Sequence, residues 1–466
     1  MACTTILVGK KASYDGSTMI ARNDDSGSGH FTPKKFVVVH PDEQPKTYKS
    51  VISHVTIELP DDPMRYTAMP NAVEGEGIWA AAGVNEANVA MTATETITSN
   101  PRVLGADPLV EIQPAEDGKE EVPGGIGEED IVCIVLPYIR SAREGVKRLG
   151  SLLEQYGTYE MNGIAFQDQD EIWWLETIGG HHWIARRVPD DVYVVMPNQL
   201  GIDHFDLEDA LSDQKEYMCS SDLKEFIEKN HLNLSMDGSL NPHTKVWDGE
   251  HADYTPQSDD IPWCMVPEKK ITVEDVKYVL SSHFQGTPYD PYAAYGEKNM
   301  RGAYRSIGIN RNDFLAVIQM RPGMERDCNV IEWIAFASNA FNVLVPFYAD
   351  IDETPDYLCN TTGEVSTDNF YWSGRMIAAM ADASYRSSVF HIERYKEHVL
   401  AKGHELINRY DALLSQETDA AKRKEIRHEA NRAVAGMLKK ETTDTLDKVL
   451  FELSGQMKNA YARSDA

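Results

Sequence analysis

The first twenty-five residues constrain the fold most strongly, because they predict a tight hairpin of two strands. Cys3 precedes residues 4–8, whose β-branched and aliphatic side chains favour a buried strand over a helix. A polar segment with the turn pair Asp15-Gly16 follows. Residues 18–22 then return antiparallel beside the first strand.

The returning strand is expected to bring Arg22 and Asp25 near Cys3. If Met1 and Ala2 are removed, Cys3 carries a free α-amino group, whose pKa of roughly 7.7 to 8 lets it accept a proton near neutral pH. That amine would serve as the base for the thiol of the same residue, and the thiolate would attack a carbonyl. The alternative is that Cys3 is a small apolar residue in a buried strand, where free cysteines usually lie, and a single cysteine leaves both interpretations open.

Three segments together resemble a known family: residues 3–5 (CTT), 21–25 (ARNDD) and 174–183 (WLETIGGHHW). They are similar to the bacterial cysteine dipeptidases of the dipeptidase A type, in the N-terminal-nucleophile hydrolase superfamily, and the resemblance extends over nearly the whole chain. More distantly, Arg22 followed by Asp25 is similar to the Arg-x-x-Asp of penicillin V acylases and bile-salt hydrolases. The resemblance implies an α+β fold, the four-layer αββα sandwich, with a helical C-terminal extension here.

The resemblance also implies a role for each site residue. Cys3 would be the nucleophile and its own amine the base. Arg22 would lower the thiol pKa by its fixed charge, and Asp25 would accept a hydrogen bond from the ammonium form. Asn198, after Pro197, matches an asparagine that stabilises the oxyanion in the relatives, although Pro-Asn is also an ordinary turn pair. Neither a metal ion nor an organic cofactor is expected.

Two further substrate-binding candidates follow from the comparison with the acylases. Glu95 stands where those relatives have an asparagine, and an ionised carboxylate cannot stabilise an oxyanion. We expect Glu95 either to bind the free amino group of a dipeptide or to hold backbone amides at a strand end. Arg305 is the candidate for the second active-site arginine, which would orient the substrate carboxylate or Asp25. Arg301 and Arg321 are the alternatives.

Composition narrows the classes of partner. The 466 residues include 45 basic and 74 acidic side chains, giving a net charge of −29 that argues against nucleic acid and anionic membranes. The six cysteines lie far apart, which fits neither a zinc site nor a disulfide framework and indicates a reducing compartment. The start of the chain lacks the pattern of a signal peptide, so a cytoplasmic location is expected.

The chain is expected to divide into a hydrolase domain over residues 1–370 and a helical region over residues 371–466. Residues 107–130 form an acidic stretch that predicts a solvated surface loop inserted in the first part. The helical region either closes the outside of the sandwich or contacts another copy, and a homo-oligomer is expected. The adjacent His181 and His182 predict structural histidines at a turn, because consecutive strand residues cannot face one metal ion.

The function predicted from these observations is metal-independent, cysteine-type hydrolysis of free dipeptides through an acyl-enzyme. The alternatives are an amidase or acylase acting on N-acyl amino acids, and a secernin-like interaction protein with little hydrolysis.

Overall fold

The computed structural model describes residues 3–27, 29–92, 95–97, 99–116, 118–236 and 261–458. Within these residues the fold is α+β, with seventeen strands and ten α-helices. The strands are β1 (Thr4–Val8), β2 (Thr18–Asp25), β3 (Val37–Val39), β4 (Thr47–Lys49), β5 (Thr56–Glu58), β6 (Tyr66–Ala68), β7 (Ala82–Val84), β8 (Ala90–Thr92), β9 (Glu95–Thr96), β10 (Asn162–Gln167), β11 (Ile172–Thr177), β12 (Trp183–Arg187), β13 (Tyr193–Met196), β14 (Tyr217–Cys219), β15 (Asn312–Met320), β16 (Val330–Phe336) and β17 (Val345–Tyr348). The helices are α1 (Pro101–Ala106), α2 (Glu128–Val135), α3 (Ala142–Tyr156), α4 (Leu207–Leu211), α5 (Leu223–Lys229), α6 (Val273–Leu280), α7 (Asp356–Cys359), α8 (Phe370–Ala383), α9 (Tyr385–Leu414) and α10 (Ala420–Ser454).

The predicted N-terminal hairpin is confirmed and lies inside a six-stranded antiparallel sheet. The strand order is β13-β1-β2-β15-β16-β17, so β1 is hydrogen-bonded on both sides. Thr4 pairs with Asn23, and Thr5 pairs with both Arg22 and Met196. In the turn Gly16 has a φ of +86°, a left-handed conformation that glycine adopts without a steric penalty.

A second sheet has seven strands, in the order β14-β12-β11-β10-β8-β7 with β9 also paired to β10. β7 and β8 pair antiparallel and form a hairpin around residues 85–88. β10, β11 and β12 form the centre of this sheet. This meander carries the segment from residue 174 to residue 183 that contributed to the resemblance.

The two sheets share an apolar core. Leu7 and Ile20 of the six-stranded sheet belong to one buried cluster with Trp174 and Ile184 of the seven-stranded sheet. Because side chains alternate along a strand, residues of odd number on β1 and even number on β2 face this core. By the same alternation, the side chains of Cys3, Arg22 and Asp24 face the space between the two sheets.

Each sheet also buries its other face, against helices. Ile6 clusters with Val273 of α6 and Tyr410 of α9, while Trp173 of β11 clusters with Leu149 of α3. Burial on both faces explains why the strands are nearly continuous runs of apolar residues. Burying each such side chain contributes on the order of 1.5 to 3 kcal/mol.

The C-terminal helices pack along the outside of the six-stranded sheet. Arg423 and Arg427, on the first turns of α10, both pair with Asp327, at 2.8 and 2.6 Å. Val434 and Leu438 of α10 join the same core as the sheets. Among the helices that the structure describes, none combines the length and the apolar character needed to cross a lipid bilayer.

The expectation of a solvated acidic loop over residues 107–130 is wrong at its C-terminal end. Glu128, Glu129 and Asp130 form the buried first turn of α2. Glu129 accepts a 2.7 Å hydrogen bond from the amide of Val51, and Asp130 accepts one of 2.7 Å from the hydroxyl of Tyr48. Burial of acidic groups is tolerated here because hydroxyls, amides and the positive end of the helix dipole compensate the charge.

The N-terminal end of that stretch is buried as well. Asp107 accepts hydrogen bonds from the amides of His181 and His182, at 2.7 and 3.0 Å. Its two oxygens also contact the Nδ1 atoms of both rings, at 3.0 and 2.7 Å. The prediction of structural histidines at a turn is confirmed. The expectation that they face opposite ways is wrong, since residues 180–182 lie before β12, where strand alternation does not apply.

Replacement of Asp107 by asparagine is expected to lower the free energy of unfolding by about 2 to 3 kcal/mol at pH 7, the usual value of hydrogen bonds to a charged group. Burial acts to raise the pKa of Asp107, but hydrogen bonds from His182 and His181 hold it well below its usual range. The stabilisation is therefore present above about pH 4, the unfolded pKa, and decreases below it. Urea unfolding at pH 7 and pH 3.5 measures both values, with the exposed Asp61→Asn as control. An equal loss at the two pH values would contradict the charge-based account.

Candidate active site

Cys3 lies at the start of β1, between β2 and the end of β13. Its side chain is 2% exposed. Nη2 of Arg22 donates a 3.1 Å hydrogen bond to the sulfur, and the thiol contacts Oδ1 of Asp24 at 3.5 Å. Arg22 and Asp24 are two residues apart on β2, so they share the face that looks toward the other sheet. The structure therefore brings the predicted cation against the predicted nucleophile.

Arg22 is completely buried, and its guanidinium is surrounded by acidic groups. Nη2 also donates to Asp24 at 3.2 Å and to Glu128, while Nη1 lies 3.5 Å from the carbonyl oxygen of Ala81. Glu128 reaches the site from the first turn of α2. A buried charge needs such partners, because its desolvation is otherwise prohibitive.

The two carboxyl groups beside Arg22 have opposite pKa shifts. Burial acts to raise the pKa of Asp24, but Lys34 and Arg22 lower it to about 2. Burial raises the pKa of Glu128, and repulsion from Asp24 adds to this against the attraction of Arg22. Asp24 is therefore ionised at neutral pH, whereas Glu128 retains its proton to a higher pH than usual. Groups whose environments separate their pKa values in this way are typical of catalytic sites.

Three side chains at this site are of the kinds that bind metal ions. Ligand atoms of Cys3, Asp24 and Glu128 lie within 4.8 Å of one another. All three contact Nη2 of Arg22, so the guanidinium takes the position between them that a cation would need. This donor set fits the arginine rather than a metal ion.

Asp25 lies on the other face of β2 from Arg22 and Asp24. It is buried, and it accepts hydrogen bonds from Asn312 and from Nη2 of Arg305, the latter at 2.7 Å. Burial raises the pKa of Asp25 to about 7, with Arg305 and Asn312 opposing the shift. Its side chain thus exchanges its proton near neutral pH.

The three candidate arginines have different surroundings. Arg305 has a side chain 41% exposed and pairs with Asp25. Arg301 donates to the carbonyl oxygens of residues 295 and 296, and Arg321 pairs with Asp411 of α9 at 2.5 Å. Only the first of these contacts joins an arginine to a predicted site residue.

The remaining two candidates are placed by sheet register. Asn198 is half-buried and lies two residues after the end of β13, whose last residue, Met196, pairs with Thr5. The backbone of Glu95 pairs with Gly163 in the seven-stranded sheet. The side chain of Glu95 lies outside the described residues, so its predicted role stays a prediction.

Three residues at the site were absent from the sequence-based candidates: Asp24, Lys34 and Glu128. Strand alternation was the signal available for Asp24, since it stands two residues after Arg22. The ammonium of Lys34 lies 3.0 Å from Asp24. No pattern in the sequence links Lys34 or Glu128 to Cys3.

Comparison with known proteins identifies the family of this chain. Residues 2–398 match Peptidase family C69. A dipeptidase of Bifidobacterium longum (strain NCC 2705) is 54% identical over the full length of both chains. A probable dipeptidase A of Streptococcus pyogenes serotype M3 (strain SSI-1) is 50% identical, also over both full lengths. Dipeptidase A of Lactobacillus helveticus is 41% identical, over 98% of this chain and 96% of its own. The resemblance predicted from the sequence is thereby confirmed, and the chain belongs to peptidase family C69.

Proposed function

We propose that this peptidase is a cysteine-type dipeptidase, which hydrolyses the single peptide bond of free dipeptides in the cytoplasm. The relatives named dipeptidase, similar over their whole length, support the substrate class. The observation that carries the chemistry is the 3.1 Å hydrogen bond from the buried Arg22 to the sulfur of Cys3. A neighbouring cation stabilises the thiolate, which is the nucleophilic form of cysteine.

We also propose that the fold is the αββα sandwich of the N-terminal-nucleophile hydrolases. One apolar cluster joins the two sheets, and two further clusters join each sheet to its own helices. A nucleophile at the start of an internal strand fits this class of enzyme. The exposed Phe390, Leu450 and Phe451 on α9 and α10 are candidates for a contact with a second copy.

In the proposed mechanism, Met1 and Ala2 are removed and Cys3 becomes the first residue. Its amine accepts the thiol proton, and the sulfur attacks the carbonyl carbon of the dipeptide. Asn198, which follows the end of β13 beside β1, donates to the oxyanion of the tetrahedral intermediate. The ammonium then transfers its proton to the leaving amine, so the carboxyl-terminal residue departs and a thioester remains.

A water molecule completes the reaction. The amine of Cys3, now neutral, takes a proton from this water, and the resulting hydroxide attacks the thioester. The amino-terminal residue leaves as a free carboxylate and the thiol is restored. No metal ion takes part, since Arg22 supplies the positive charge beside the sulfur.

Asp25 and Arg305 hold the reacting amine in this proposal, and Glu95 and Arg305 bind substrate. The pKa of Asp25, about 7, falls where the amine itself changes charge. Although Arg305 is paired with Asp25, its side chain is 41% exposed, so a ligand can also contact the guanidinium.

Cys3→Ala is expected to abolish dipeptide hydrolysis, with a loss of at least about a thousandfold, because the nucleophile and its position are removed. The assay uses a panel of free dipeptides and of N-acyl amino acids, and Cys359→Ala, at a half-buried cysteine, is the control. Intact mass of the active wild type is expected to correspond to a chain beginning at Cys3. Equal activity of Cys3→Ala and wild type would reject the cysteine mechanism. Hydrolysis of N-acyl amino acids alone would assign an acylase.

A further inference from the structure

A cavity of about 200 Å³ is lined by Asp24, whose carboxylate contacts the nucleophile. Its other walls are Thr32, Lys34 and Asp313 and, from the loop between β6 and β7, Asn71, Glu76 and Trp79. Because Asp24 contacts the sulfur of Cys3 and also lines this cavity, a molecule bound here lies one side chain away from the reacting atom. The volume suits one amino-acid residue.

Lys34 is the cation of this cavity and is 1% exposed. Its ammonium contacts Oδ2 of Asp24 at 3.0 Å and donates to the carbonyl oxygen of Trp79 at 3.1 Å. The ammonium also lies 5.9 Å from the centre of the Phe314 ring. A lysine ammonium has three donors, and the two oxygen contacts use two of them. The third is available to an acceptor in the cavity.

The loop that closes the cavity is held by the two buried cations. Trp79 and Ala81 have φ values of +49° and +63°, a left-handed conformation that costs a non-glycine residue on the order of 1 kcal/mol or more. Their carbonyl oxygens face Lys34 and Arg22. A backbone that adopts this conformation to meet two charges is typical of a ligand-binding loop.

The carboxylates of the cavity wall are either paired with cations or exposed to solvent. Asp24 contacts both Arg22 and Lys34, and Asp313 is paired with Arg375 at 3.0 Å. Glu76 is exposed. The ammonium of Lys34 is therefore the charged group that an anionic ligand in this cavity would meet, because a carboxylate bonds most strongly to a cationic donor.

The spacing fits the second residue of a dipeptide. The free carboxylate of that residue is one residue beyond the attacked carbonyl, and consecutive Cα atoms are about 3.8 Å apart. The carboxylate of Asp24 lies between the sulfur of Cys3 and the ammonium of Lys34, with contacts of 3.5 and 3.0 Å. Asn71 supplies a buried amide oxygen with no hydrogen-bond partner among the described residues, which suits the amino group that cleavage releases.

On the basis of the proposed dipeptidase function, we propose that this cavity binds the carboxyl-terminal residue of the substrate and that Lys34 binds its free α-carboxylate. The pairing restricts the enzyme to substrates that end one residue after the scissile bond. Lys34 is thus a specificity-determining residue, acting on the leaving half of the dipeptide.

The test compares L-alanyl-L-alanine with L-alanyl-L-alaninamide, which lacks the charged carboxylate. Wild type is expected to prefer the acid by about 100-fold in kcat/KM, because a buried charge partner discriminates strongly against an analogue that leaves it unpaired. Lys34→Met is expected to lower kcat/KM for the acid by about 100-fold, mainly through KM, and that for the amide by less than about threefold. Lys35→Met, which changes the neighbouring half-buried lysine, is expected to leave both values unchanged.

Equal losses on the two substrates in Lys34→Met would assign Lys34 a structural role and overturn the proposal. Lys34→Gln, which keeps a donor, is the second variant should Lys34→Met not fold. Wild type alone also overturns the proposal if it hydrolyses the amide as well as the acid. The absence of any Cys3-dependent hydrolysis of either substrate would instead reject the dipeptidase function itself.

Discussion

Arg22→Met is expected to reduce kcat/KM for dipeptides by a factor of about a thousand or more, since a charge 3.1 Å from the sulfur supplies several kcal/mol in a water-excluded site. The methionine side chain keeps the length and removes the charge. The thiolate of Cys3 then loses the buried cation that contacts it, and the thiol pKa rises. The rate of alkylation of Cys3 by iodoacetamide, followed from pH 5 to pH 10, measures that rise apart from turnover.

The same substitution is expected to lower the free energy of unfolding by about 3 to 5 kcal/mol, the usual cost of breaking a buried charge pair. Asp24 and Glu128 would both lose their hydrogen bonds to Nη2. Arg140→Met, at an exposed arginine, is the control for both measurements. Arg22→Lys separates charge from geometry, because lysine keeps the charge but lacks the second nitrogen, Nη1, that lies 3.5 Å from the carbonyl oxygen of Ala81. An Arg22→Met enzyme with activity within tenfold of wild type would exclude the proposed role.

Glu332→Gln is expected to stabilise the protein at neutral and alkaline pH. Glu332 lies on β16, completely buried, and faces the core between the sheets. One oxygen accepts a 2.9 Å hydrogen bond from Thr67, and the other has no hydrogen-bond partner among the described residues. Burial raises the pKa of Glu332 to about 8, although the bond from Thr67 opposes the shift. Glutamine keeps the acceptor and has no charge to bury.

The direction of the pH dependence follows from proton binding. Between the unfolded pKa near 4.3 and the folded pKa near 8, the native state binds one proton more than the unfolded state, so its stability falls as pH rises. Below this interval the contribution of Glu332 is fully present. From pH 5.5 to pH 7.5 the advantage of Glu332→Gln over wild type is expected to grow by roughly 3 kcal/mol, at 1.36 kcal/mol per pH unit. Urea unfolding at both pH values measures it, with the exposed Glu364→Gln as control, and a constant difference would refute the raised pKa.

Local patterns predicted the strand that carries the nucleophile and the cation beside it. The β-branched run after Cys3 and the Asp15-Gly16 turn determine a hairpin, and the register of that hairpin places Arg22 beside the thiol. The carboxylate in contact with the thiol is Asp24, whereas the Arg-x-x-Asp resemblance pointed to Asp25. Asp24 is two residues after Arg22 on β2 and therefore shares its face, whereas Asp25 is three residues after it. The side chains of the two aspartates therefore lie on opposite faces of β2.

The partners that come from elsewhere in the chain could not be predicted in the same way. Glu128 belongs to a run of acids whose composition is typical of a solvated loop. The burial of Glu128 depends on its contact with Arg22. Glu129 contacts Ser50 and Val51, and Asp130 contacts Tyr48. These contacts exist only after the sheets have packed. Lys34 likewise meets Asp24 through the tertiary fold.

The position of β1 between two strands makes the amino terminus a reporter of the proposed maturation. β1 is hydrogen-bonded to β2 and β13 along both edges, so Cys3 is held in place at its start. In the proposed mechanism a peptide genetically fused ahead of Cys3 would block the α-amine, so release of the fused peptide and appearance of turnover are expected to proceed with a single time course. Affinity handles for purification therefore belong at the opposite end of the polypeptide.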